Sequence, residues 1–163
     1  MVGALADRGV PAISVPPISI IESTNRRISS FNKKEIFDLL EAGYLPVLYG
    51  DMVPDRKLCY SVCSGDQIIA HLGKKAERVV MVSNVDGVMA CGKVVPLITR
   101  RNFSKISKHL GCSSAADVTG GMAGKVREIM KSGATTYITN ASHPERMVAL
   151  LLGKKAACTK IVP

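Results

Sequence analysis

Short continuous apolar runs alternate along the chain with stretches whose apolar residues recur every three or four positions. The first kind predicts strands and the second helices. VPAISV (10–15), just after Gly9, suits a buried strand. NKKEIFDLLEAG (32–43) predicts a helix with Asn32 as N-cap, Glu35 as capping-box partner, Ile36, Leu39 and Leu40 on one face, and Gly43 as the stop. YLPVLYG follows as a strand ending in Gly50, and SGDQIIAHLGKKA (64–76) as a helix opened by Ser64, Gly65 and Asp66. RVVMVS (78–83) reads as a strand broken by NVDGVM, and KVVPLIT (93–99) as a further short one. GGMAGKVREIMKSG (120–133) predicts a helix with Met122, Val126, Ile129 and Met130 at helical spacing, ended by Gly133. TTYITN (135–140) is a strand. SHPERMVALLLG (142–153) carries a capping-box pattern in Ser142 and Glu145 with Pro144 in the first turn, and CTKIV (158–162) closes as a strand.

No repeat or linker divides this series. Strands that alternate with helices at short spacing, several of them apolar on both faces, predict an α/β domain with a largely parallel, helix-covered sheet. At 163 residues and 47% hydrophobic, one domain can bury a real core, and 4% aromatic residues with no Trp make that core aliphatic. No run approaches the ~20 apolar residues that span a bilayer, and the N-terminus lacks the basic-then-apolar order of a secretory signal. The five cysteines (59, 63, 91, 112 and 158) form no C-x-x-C pair, and the three histidines are scattered. They predict reduced thiols in a cytoplasmic protein and no metal site.

Charge sharpens the picture. Residues 1–80 carry ten Lys/Arg against nine Asp/Glu, whereas residues 81–163 carry twelve against four. The basic excess of the second half suits a solvated surface or a polyanion such as a nucleoside triphosphate. Nucleic acid is the poorer candidate, because no recognition spacing occurs and aromatics for base stacking are few.

Ligands of open α/β sheets bind at the carboxyl ends of the strands. Three such ends carry small or acidic residues: YGD (49–51), SNVDG (83–87) and TNASHPE (139–145). Two helices open with glycine and a polar group, SGD (64–66) and TGG (119–121). Gly120 and Gly121 weaken a helix start, yet they let phosphates approach backbone N–H groups at its positive end, and Lys125 lies within reach of the same turn. A tight turn and an ordinary surface lysine explain the same residues equally well, and an Asp such as Asp66 at a helix start is more often just a cap. Neither a GxxxxGK[ST] nor a GxGxxG pattern is present.

Taken in order, PVLYGDMV, SGDQII, VMVSNVDGVM, DVTGGMAGK and TNASHPE…CTKI resemble the amino acid kinase superfamily, most closely its isopentenyl phosphate kinase branch of archaeal type. The likeness runs from about Ala4 to the C-terminus. It implies a three-layer αβα fold in which residues 1–63 form an acceptor-side remainder and residues 64–163 the nucleotide-binding part. It implies transfer of the γ-phosphoryl of ATP, with Mg2+, to isopentenyl phosphate, without a covalent enzyme intermediate. Lys125 then matches the lysine that offsets charge on the moving phosphoryl group, and Asp66 the acid that orients the catalytic lysines. Gly50, with Asp51 beside it, matches the acceptor site. Asn84, Asp86 and Gly87 match the loop bordering the nucleotide, and Gly120 and Gly121 the glycines beside the ATP phosphates.

The sequence departs from the family at Asn84 for Asp, Ala141 for Gly and Cys158 for Gly. The family's upstream KxGGS and HGGGSFGH segments have no counterpart, so the resemblance implies a chain lacking the family's N-terminal part. An uncovered sheet edge, a homodimer or a separate chain supplying that half is then expected. Two other readings stay open: a nucleotide-binding or regulatory module without catalysis, and a related kinase acting on a nucleoside monophosphate, a carbamate or an acidic amino acid.

Overall fold

Backbone pairing begins where the apolar runs begin. The computed structural model describes residues 1–110 and 121–163, so Gly120, Cys112 and the 117–119 stretch lie outside the described residues. Two compact units divide the chain, Met1–Ile68 and Ile69–Pro163.

The first unit runs α1 (Val2–Ala6), β1 (Ala12–Ser14), α2 (Pro17–Ile20), β2 (Ile21–Thr24), β3 (Arg27–Phe31), α3 (Lys34–Glu41), β4 (Leu45–Val47), β5 (Asp51–Asp55) and β6 (Cys59–Cys63), and α4 (Gly65–Leu72) begins in it. Strands β1 and β4 pair in parallel, Ala12 opposite Leu45. A second sheet has the order β3-β2-β5-β6, two antiparallel hairpins joined by a parallel β2–β5 contact at Ser23 and Asp55. Its strands alternate as period two requires: Ile21, Ser23, Val53, Asp55, Ser61 and Cys63 are buried, while Met52, Tyr60 and Val62 are exposed. Helix α2 packs on β5 and β2 and buries Ile20.

The second unit continues with a 3-10 turn, β7 (Val79–Ser83), β8 (Met89–Ala90), β9 (Lys93–Val94), β10 (Leu97–Thr99), α5 (Arg100–Ser107), α6 (Gly121–Ser132), β11 (Thr136–Asn140), α7 (Pro144–Leu151) and β12 (Thr159–Val162). Its four-stranded sheet has the order β10-β12-β11-β7. β7 and β11 run parallel over five residues, Val79 opposite Thr136 through Ser83 opposite Asn140. β12 is antiparallel to β11 and parallel to β10. Val79, Met81, Val88, Ile98, Val126, Ile129, Ala134, Ile138 and Ile161 form one aliphatic core cluster. Helix α6 supplies Val126 and Ile129 to it, and α7 packs across β7 and β11 with Leu150 buried. The α/β class expected from the sequence is the one observed; parallel pairs occur in both units, interleaved with antiparallel hairpins.

Several local expectations are corrected. Asn32 does not cap α3: its N–H donates to Ile20 O at 2.8 Å, extending the β2–β3 ladder, so the helix opens at Lys34 with a Lys34–Asp38 ion pair across its first turn. The Ser142–Glu145 capping box is absent as well. The Ser142 N–H donates to Asn140 Oδ1 at 2.9 Å, and the Glu145 carboxylate lies 3.1 Å from His143 Nδ1. The expected 93–99 strand splits around Pro96, which has no N–H to give a ladder.

Candidate active site

In the first unit the segment leaving β4 meets the opening of α4. A Cβ built on Gly50 would lie 3.4 Å from Cys63 O and 3.7 Å from the Gly65 nitrogen, so this backbone passes directly over the start of α4. Ser64 opens the helix as the sequence predicts, its Oγ accepting the Gln67 N–H at 3.3 Å. Asp66 is half-buried in the first turn. Asp51 is half-buried next to Gly50, and its Oδ1 accepts the Met52 N–H at 2.8 Å. Burial, with the Asp51 charge adding to it, pushes the Cys63 thiol up to about 11. That keeps Cys63 protonated and unreactive at neutral pH. Gly50, Asp51 and the SGD turn are therefore brought together.

A corresponding cluster forms in the second unit at the carboxyl ends of parallel β7 and β11. Asp86 Oδ1 accepts hydrogen bonds from Arg146 Nη1 at 2.7 Å and from Asn140 Nδ2 at 3.2 Å. Those two donors, Arg146 first, hold the Asp86 carboxyl below its ordinary range. The Ala141 N–H donates to Ser83 O at 2.7 Å, so the turn after β11 is tied to the loop after β7 at two points. Asn84 and Asp86 are exposed in that loop. Two stretches 54 residues apart, SNVDG and TNASHPE, thus meet as the strand-end rule predicts.

Gly87 is glycine for a packing reason. It is buried, and a Cβ there would fall 2.5 Å from Thr159 Oγ1 and 3.0 Å from Val94 Cγ1. The Thr159 hydroxyl cannot retreat cheaply, because it accepts the Val88 N–H at 2.8 Å and donates to Val95 O at 2.7 Å. Gly87→Ala is expected to destabilise the fold by about 2–3 kcal/mol, read as a lowered urea midpoint with an unchanged slope. A variant as stable as the parent would show that the loop re-packs freely.

Lys125 lies half-buried on α6, four residues after Gly121. Gly121 has φ +56°, a left-handed conformation that side chains resist, so the helix entry itself requires glycine. Among the described residues no group of three His, Cys, Asp or Glu side chains is placed to hold a metal ion, and no helix is long and apolar enough to cross a membrane. Arg146 and Asn140 were not among the residues singled out from sequence. Asn140 stood inside a quoted strand end, whereas Arg146 is marked only by its place in the first turn after HPE.

A family model described as the amino acid kinase family matches residues 1–140. The chain is 37% identical over 97% of its length to the isopentenyl phosphate kinase of Methanothermobacter thermautotrophicus, covering 64% of that protein. It is 31% identical over 94% of its length to the isopentenyl phosphate kinase of Methanocaldococcus jannaschii, covering 59%. A solved X-ray structure of isopentenyl phosphate kinase matches with a TM-score of 0.78 at 32% identity, over 98% of this chain and 62% of that one. The chain spans about three fifths of the length of the relatives it matches.

Proposed function

The chain belongs to the amino acid kinase family, and from that premise we propose that it acts in ATP-dependent phosphorylation of isopentenyl phosphate. The observation that carries this reading is the stitched pair of strand ends at Asp86, in a chain 37% identical to an isopentenyl phosphate kinase. Residues 64–163 supply the nucleotide side and residues 1–63 the acceptor side. An acceptor phosphate oxygen attacks the γ-phosphorus of ATP. The bond from that phosphorus to the β–γ bridging oxygen breaks, and its electron pair leaves with ADP.

Lys125 offsets the charge spread over the moving phosphoryl oxygens, and Asp66 orients the cationic side chains around it. Gly50, with no side chain, leaves the acceptor phosphate room beside the start of α4, while Asp51 fixes the backbone that follows. Asn84, Asp86 and Gly87 border the nucleotide, and Gly121 lies against its phosphates. A magnesium ion bound to the triphosphate would supply charge neutralisation there. Almost all of the rate enhancement then comes from positioning and electrostatics, with no covalent enzyme intermediate.

The test is phosphorus NMR of the chain incubated with MgATP and isopentenyl phosphate, with UMP and glutamate as competing acceptors. Appearance of isopentenyl diphosphate and ADP in equal amounts is the expected result. Phosphorylation of UMP or glutamate in its place would reject the substrate and keep the enzyme class. Nucleotide binding without transfer to any acceptor would leave a nucleotide-binding module.

A further inference from the structure

Asp86 presents an odd charge for a loop that borders a triphosphate. Its carboxylate is half exposed, at 50%, and an uncompensated negative group there opposes ATP phosphates by simple Coulomb repulsion. Arg146 answers it. This side chain is only 24% exposed, rises from the first turn of α7, and places Nη1 2.7 Å from Asp86 Oδ1. The same oxygen receives Asn140 Nδ2, and Asn140 in turn takes the Ser142 N–H, so loop, strand end and helix start share one hydrogen-bond chain. On its other side the loop is fixed by Thr159 through the Val88 N–H. The Arg146 contact is therefore the charged restraint on the exposed half of the loop, beside the hydrogen bonds from Asn140 and Ala141.

We propose that Arg146 is a positioning residue for nucleotide binding: it fixes the 83–87 loop through Asp86 and cancels the carboxylate charge that would otherwise face the phosphates. The proposal rests on the nucleotide-binding reading of that loop and adds to it a residue outside the motifs that carry the reading. A purely structural arginine would lose only stability when removed. The present role adds a charge signature, because removing Arg146 leaves Asp86 without its ion-pair partner, and removing Asp86 as well takes away the repulsion.

The test compares the parent chain with Arg146→Ala, Arg146→Lys, Asp86→Asn and the Arg146→Ala/Asp86→Asn double variant. Two readouts are used: ATP affinity by fluorescence titration at low salt, and amide hydrogen exchange over residues 83–87. Arg146→Ala is expected to weaken ATP binding about tenfold and to speed exchange in that loop, with part of the affinity restored by Arg146→Lys and part by the double variant. Arg146→Ala that binds ATP like the parent, with unchanged exchange, overturns the role while leaving the nucleotide reading intact. A double variant no better than Arg146→Ala overturns the charge-cancelling part. A parent chain that binds no ATP overturns the nucleotide reading and this role with it; the exchange result then reports on the loop restraint alone.

Discussion

Lys125→Ala is expected to lower the rate of phosphoryl transfer by about three orders of magnitude, the largest effect of any single substitution here. A moving phosphoryl group offers the protein little covalent work, so a cation aimed at its oxygens carries a large share of the catalysis. On the proposed mechanism that cation is Lys125, carried on α6, which is anchored in the core through Val126 and Ile129. Alanine is the best helix former, so the helix that presents position 125 survives the change. The loss should appear in kcat, with KM for isopentenyl phosphate moved far less, and with an unchanged melting temperature. Lys125→Arg should recover part of the rate, since charge is kept while the compact ammonium is replaced by a planar fork. A Lys125→Ala chain within threefold of the parent in single-turnover rate would remove Lys125 from the mechanism.

How much of this was legible in the sequence depended on the range of the interaction involved. Core strands were legible because burial writes itself as an unbroken apolar run: RVVMVS and TTYITN became β7 and β11 within a residue of the expected ends. Glycine stops after α3 and α6 were legible for the same local reason. The two hairpins of the first unit were not. Asn25 and Arg26 turn β2 into β3 with φ of +52° and +65°, where Asn-Gly would have been the readable signal. In that conformation the Arg26 N–H is taken by a carboxylate 29 residues away. Helix α5 escaped notice because its capping box pairs Thr99 with Asn102, the Asn102 side chain accepting the Thr99 N–H at 2.7 Å, where Glu or Gln is the usual sign. At the candidate site the strand-end stations were visible as motifs, whereas Arg146 lies 60 residues from Asp86 and becomes significant only when β7 and β11 run side by side.

That same distant carboxylate is where the largest loss of stability is expected. Asp55 is 4% exposed, at the end of β5, and accepts four backbone N–H groups: Asn25 at 2.9 Å, Arg26 at 2.7 Å, Lys57 at 2.9 Å and Leu58 at 3.1 Å. It thereby closes both hairpin turns of the first unit at once. Burial works against the ionised form, and the N–H donors outweigh it, holding the carboxyl far below its ordinary value of 3.8. The sign follows from linkage. A carboxyl whose folded pKa is depressed contributes its full stability above about pH 4 and loses it progressively as pH falls below the unfolded value toward the folded one. Asp55→Asn puts an amide NH2 against N–H groups that need an acceptor, and leaves part-buried donors unpaired. It should lower the melting temperature at pH 7 by roughly 10 °C. It should also flatten the decline of the urea midpoint between pH 5 and pH 3 relative to the parent, because Glu22 and Asp86 remain to titrate in both proteins. Parallel acid limbs in the two chains would show that the Asp55 clamp contributes nothing to acid stability, and would reassign the closure of the two turns to their backbone pairing alone.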